Sequence, residues 1–206
     1  MSWAEVNKID EGARFRAYNG LFIIESSLTW TVPQSGYYKV IAVGGAGANA
    51  KLQSGSTYKV GGGGAGGVAI KTMRFGAGDD YIISISSGDV YFDAIMTANG
   101  GVAGTSSSGG AGGTATGGDY NYTGNSGSAN SASKYLIQGA SVGCNIPDLL
   151  DRTELSITNI SNDVSSATTI YSGYGILGHG AGGSIDGQME IPPQKGCVII
   201  IPYIGI

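Results

Sequence analysis

Histidine is almost missing from this chain, with His179 alone. Cysteine is limited to Cys144 and Cys197, and Lys, Arg, Asp and Glu together make only 13% of 206 residues. Each shortage removes a class of function. One imidazole inside a glycine tract leaves no credible Ser/His/Asp set. Two distant cysteines without CxxC or His-rich spacing leave a metal centre unsupported, so neither a metal nor a cofactor is expected. Two small buried thiols are expected there, a disulfide formed after release being the alternative. The 11 Lys and Arg residues are scattered and the net charge is −4, so no basic footprint for nucleic acid exists. The opening MSWAEVNKID has no apolar segment of signal-peptide length, and the terminal CVIIIPYIGI is too short to cross a bilayer. A product made in the cytoplasm without an export signal, and not inserted in a membrane, is expected.

Proline is also scarce, at 5 residues, whereas glycine reaches 38 without any Gly-X-Y repeat. That excludes collagen, and the low charge argues against a solvated disordered chain. GAGG occurs at residues 64–67, 110–113 and 180–183, with GGAG at 44–47. G-x-G-x-x-G can be fitted to Gly62, Gly64 and Gly67 and to Gly178, Gly180 and Gly183. Glycine-dense text produces such matches by chance, and neither is followed by a helical pattern.

Between the tracts run short β-rich segments: LFIIE from Leu21, LTWTV from Leu28, YYKVIAV from Tyr37, YIISIS from Tyr81, VYFDAIMTA from Val90 and CVIIIPY from Cys197. Gly, Ser, Asn and Asp bound them, and PQSG at 33–36 is a turn. The pattern predicts an all-β fold, an antiparallel β-sandwich with long display loops and little helix, the last strand returning to close the sheet. Residues 146–155 are the one internal stretch with a turn or two of helix. At the start, Ser2 and Glu5 have capping-box spacing and Trp3, Val6 and Ile9 share a side. Residues 1–19 are therefore read as an attachment segment in which Trp3 and Val6 dock on a partner, docking on its own domain and a frayed terminus being the alternatives, and 20–206 as the glycine-rich β domain.

Besides a phosphate loop, the tracts have two readings. A flexible linker explains the composition but not the recurrence between strands. Extended glycine rods of the polyglycine II kind, with three residues per turn, can pack side by side and bond laterally only where side chains are absent. Glycine then becomes obligatory at Gly64, Gly66, Gly67, Gly110, Gly112, Gly113, Gly180, Gly182 and Gly183. On this reading loops emerge at the ends of a slab of rods.

WTVPQSGYYKVIAVGGAG, GGGGAGGVAIKTM, MTANGG, GGAGGTATGGDYNYTG and GCVIIIPY, in this order, resemble the glycine-rich domain of bacteriophage tail fibres and phage-tail-like bacteriocins. The resemblance covers residues 20–135 and 178–203; residues 140–177 depart from it as an insertion. It implies a non-enzymatic receptor-binding protein at the fibre tip of a virion or tail-like particle, recognising a host cell-surface polysaccharide or glycoconjugate. Fibre or baseplate proteins would be its partners and a homotrimer its assembly. Display loops are where a rigid scaffold carries such binding. Residues 119–135 mix tyrosine, asparagine, serine and glycine as paratopes do, with Tyr120, Asn121, Tyr122, Asn125, Asn130 and Tyr135 as candidates. Tyr171 and Tyr174 beside His179, and Tyr58 within 51–59, extend the set; each has the plainer reading of a tyrosine packed on its own scaffold. A purely structural fibre or baseplate component, an assembly factor and a glycan depolymerase remain the alternatives.

Overall fold

The computed structural model describes residues 15–18, 21–48, 50–54, 57–127, 129–132, 136–137, 182–184, 190–191 and 195–202. Those residues form strands, turns and extended rods, and no helix occurs among them. The expectations for Trp3, Val6, Tyr135, Cys144, Tyr171, Tyr174, His179, Gly180, the helical turn at 146–155 and the insertion at 140–177 lie outside the described residues.

The strands are β1 (Phe15–Tyr18), β2 (Leu21–Ile24), β3 (Leu28–Thr31), β4 (Gly36–Val43), β5 (Ala50–Ser54), β6 (Thr57–Gly61), β7 (Val68–Phe75), β8 (Asp80–Ser86) and β9 (Asp89–Phe92). They continue as β10 (Met96–Ala98), β11 (Ala115–Thr116), β12 (Tyr120–Tyr122), β13 (Ala129–Ala132), β14 (Leu136–Ile137), β15 (Gly182–Ser184), β16 (Glu190–Ile191) and β17 (Cys197–Pro202). A six-stranded sheet, β1-β2-β17-β4-β7-β12, packs on a five-stranded one, β11-β10-β9-β8-β3. Every pairing in both is antiparallel, and β17 does return between β2 and β4, with Ile199 opposite Ile41 and Ile23. The all-β sandwich is thus the observed architecture.

Alternation within the strands supplies the core. Phe22, Ile24, Val40, Ala42, Val198 and Ile200 of one sheet meet Trp30, Ile83, Val90, Phe92, Met96 and Ala98 of the other. Phe75 sits edge-on between Trp30 (5.5 Å between centroids) and Tyr81 (4.7 Å). In the second half of β4 and the first four residues of β17 the alternation disappears, because Val40 to Val43 and Cys197 to Ile200 are all buried. Strands read this way when both faces are covered, and Ile41, Val43, Val68, Ile70, Cys197 and Ile199 form a second buried cluster on the outer face of the six-stranded sheet.

The glycine tracts leave the sandwich as five rods, at 44–48, 61–67, 99–105, 108–114 and 123–127, bonded to one another and not folded back on themselves. Their hydrogen bonds step by three residues. Gly44 N–H donates to Gly67 and Gly47 N–H to Gly64, while Gly67 N–H donates to Asn99 and Gly64 N–H to Val102. Likewise Val102 N–H donates to Ala111 and Asn99 N–H to Thr114, and Gly110 and Gly113 donate to Gly62 and Ala65. A two-residue ladder cannot give this step, whereas a threefold extended helix must. Rods 44–48, 61–67 and 123–127 make one layer, and rods 99–105 and 108–114 nest beneath it as a second. Glycine is forced where rods touch: a Cβ on Gly64 would overlap the Ala111 carbonyl, and one on Gly112 the Gly124 carbonyl. Each lateral bond contributes about 1 kcal/mol, which offsets the roughly 0.5–1 kcal/mol by which ordering a glycine costs more than ordering an alanine.

Candidate binding site

Rod directions decide which loops meet. Rods 44–48, 99–105 and 123–127 run outward from β4, β10 and β12, and rods 61–67 and 108–114 run back into β7 and β11. All three outward turns therefore lie at one end. There Gly104 N–H donates to Ala48 (2.8 Å), Gly127 N–H to Gly110 (2.8 Å) and Thr105 N–H to Ser108 (2.8 Å).

The tightest turn at this far end is residues 105–108, Thr-Ser-Ser-Ser. The Thr105 hydroxyl holds it by accepting the Ser108 N–H (3.0 Å) and Ser107 N–H (3.3 Å) and meeting the Ser108 hydroxyl at 2.8 Å. Beneath it, a Cβ on Gly61 would overlap the carbonyls of both Thr105 and Ser108, so the turn rests directly on the neighbouring rod. Beside it the chain makes a hairpin, β5 to β6, extended by β13, whose register sets Tyr58 opposite Gln53 and Ala132 and sets Asn130 opposite Val60. Backbone amides held in register, hydroxyls and the Tyr58 and Asn130 positions thus share one end of a stiff slab. Hydroxyls and backbone groups so arrayed can hydrogen-bond the edges of a sugar.

The residues expected to make one loop at 119–135 are divided by the structure. Tyr120, Asn121 and Tyr122 form β12 at the root of the slab, paired with Ile70, Ala69 and Val68. Tyr120 is 63% exposed, whereas Tyr122 is half-buried against the outer apolar cluster. Asn121 is tied into its own turn, its amide donating to the Gly118 carbonyl (2.9 Å) and its oxygen accepting the Gly118 N–H (3.0 Å). Asp119 secures this corner by accepting the Thr72 N–H (2.9 Å) and facing the Lys71 ammonium (3.4 Å). The Thr72 bond first, and then Lys71, hold its carboxyl below the usual carboxylate range.

Asn125 lies within a rod, where its carbonyl accepts the Ala65 N–H (3.0 Å), and Asn130 follows on β13. Five rod residues at ~3.1 Å each separate the two groups by roughly 15 Å. Tyr58 and Asn130 accordingly belong with the far end, Tyr120, Asn121 and Tyr122 with the root, and Asn125 lies along the rod between them. Gly64, Gly66, Gly67, Gly110, Gly112 and Gly113 are at rod contacts, while Gly182 and Gly183 lie in β15, paired with β14 and β16.

The turn at 105–108 was not among the residues singled out from the sequence. Its signal is nonetheless there, as four hydroxyl residues linking two glycine tracts of similar length. A concavity of about 500 Å³ lies at the root, lined among others by Glu25, Ser26, Ser87, Ala46, Ile85 and Lys195. No group of three or more His, Cys, Asp or Glu residues able to hold a metal occurs among the described residues, and none of their helices is long and apolar enough to cross a membrane. No protein-family model and no curated protein matches the chain.

Proposed function

We propose that the chain is the receptor-binding subunit of a phage tail fibre or tail-like particle, and that it holds a host cell-surface glycan at the far end of its glycine rods. One observation carries the reading: backbone bonds stepping by three residues hold residues 105–108, the β5–β6 hairpin and β13 at one end of a rigid slab. Side-chain-free rods offer little to bind with along their buried contacts, so their use is to fix what they end in. Affinity for a hydroxyl-rich ligand gains from such preorganisation, because the ordering cost is met in folding and not at binding. The far end presents Thr105, Ser107 and Ser108 exposed to solvent, in a turn that their own hydroxyls hold in shape.

Binding of the purified protein to susceptible and resistant cells, and to polysaccharide from their walls, tests this. Equal and negligible binding to both would sink it. Replacing Ser106 and Ser107 together separates the readings further: a changed glycan preference supports the tip, while unaltered particle attachment favours a structural component. Release of free oligosaccharide from host envelope would instead identify a depolymerase.

A further inference from the structure

From residue 75 to residue 133 the chain has five aspartates, at 79, 80, 89, 93 and 119, and not one Lys or Arg. This stretch supplies four of the five strands of the smaller sheet; Asp119 belongs to the β7–β12 corner and Asp89 is engaged by the Gly100 N–H, which leaves Asp79, Asp80 and Asp93 as the acidic groups at the end of that sheet remote from the rods. The register sets Ile82 opposite Thr29, Ser84 opposite Tyr91 and Asp80 opposite Thr31 on the sheet's outer face. Ile82 is 61% and Tyr91 38% exposed. Asp93 adjoins them, its N–H donating to the Ile82 carbonyl (2.7 Å).

The opposite outer face of the sandwich carries the complement. Tyr37, 57% exposed, lies directly across from the exposed Arg74, and Lys39 across from Thr72 in the next row. Both patches are at the same end of the molecule. β7 ends at Phe75 and β8 begins at Asp80 after one short turn, which is also the end remote from the rods.

We infer that this chain associates with a second copy of itself, the Asp80–Ile82–Tyr91–Asp93 face of one copy seating on the Tyr37–Arg74 face of the next. With both patches at the end remote from the rods, copies joined through them can keep both slabs pointing the same way. An isoleucine and two tyrosines give the contact its apolar area, and the carboxylates facing a guanidinium select this face over the like-charged one. The contact joins different surfaces, so each added copy leaves one unused face at either end and copies add in a row.

Sedimentation over a concentration series, at low and high salt, tests the inference with the full chain. Self-association that weakens with salt is expected. Arg74→Glu alone and Asp80→Lys alone should each weaken it roughly three- to tenfold, and the two reversals combined in one chain should restore it. Ile82→Lys, which leaves untouched the bond that the Thr31 hydroxyl donates to the Asp80 carboxylate (2.6 Å), should weaken it likewise. A monomer at every concentration, association indifferent to the single reversals, or a double variant no stronger than either single one would overturn the contact. Circular dichroism on each variant confirms that the fold persists.

Discussion

Gly64 faces Ala111 across the two layers of the slab so closely that even a methyl group on Gly64 would overlap the Ala111 carbonyl oxygen. The Ala111 side chain itself points to solvent. Gly64→Val should therefore destabilise by about 3 kcal/mol or more, as forced overpacking does when backbone atoms cannot step aside. Ala111→Val, in the same lattice but facing outward, should stay within about 0.5 kcal/mol of wild type. Urea unfolding midpoints of the two variants give the comparison.

Phe75 is fully buried among Trp30, Tyr38, Tyr81 and Phe92, with centroid separations from 4.7 to 6.1 Å. Phe75→Ala should cost about 3–5 kcal/mol through lost burial and the cavity left behind. Near-ultraviolet circular dichroism should lose the signal of the coupled rings before the far-ultraviolet strand signal changes.

The Cys197 thiol is fully buried, and burial, aided by the nearby Glu25 charge, pushes its pKa up to about 12. Between the unfolded value of about 8.5 and this folded value, the unfolded chain binds fewer protons than the folded one. Stability from this group is complete below that window and is lost as pH rises through it, by at most about 1.4 kcal/mol per pH unit. Cys197→Ala should flatten that alkaline decline, measured by denaturation at a series of pH values. A thiol reagent at neutral pH should leave Cys197 unmodified until the protein unfolds.

Asp119 has the opposite sign. Its carboxyl is held below the ordinary carboxylate range because the charged form accepts the Thr72 N–H and faces Lys71. Its contribution is present above the unfolded pKa and is lost as pH falls through the folded one. The amide resonance of Thr72 should follow a single titration with its midpoint below 3.8, and that titration should vanish in Asp119→Asn.

Much of the sandwich was legible because its strands are punctuated. Leu21–Ile24, Leu28–Thr31, Gly36–Val43, Asp80–Ser86 and Cys197–Pro202 each show an apolar run or alternation between turn residues. Residues 90–98 read as one run, yet the chain turns at Asp93, whose φ of 48° is a conformation that aspartate tolerates and that composition does not announce. β7 was harder, since its apolar start is continuous with a glycine tract and its end, KTMRF, mixes polar and apolar positions. β12 is three residues of edge strand inside serine- and asparagine-rich text, too short for any period to show, which is why 119–135 read as one loop. The rods were legible as rods from the recurrence of GAGG. Which turns they bring together was not, because it depends on rod directions and on pairings between segments far apart in sequence.

The change of step where sheet becomes slab governs how such a gene can vary. One residue inserted into a paired rod would rotate all that follows by a third of a turn, carrying alanines such as Ala111 inward and glycines such as Gly112 outward. Within the rods, only additions in threes and in matched partners preserve the lattice. At the turn of residues 105–108 no such bookkeeping applies, because both flanking rods have already ended. Length variation is thereby steered to the end proposed to meet the host, and the sandwich is shielded from it.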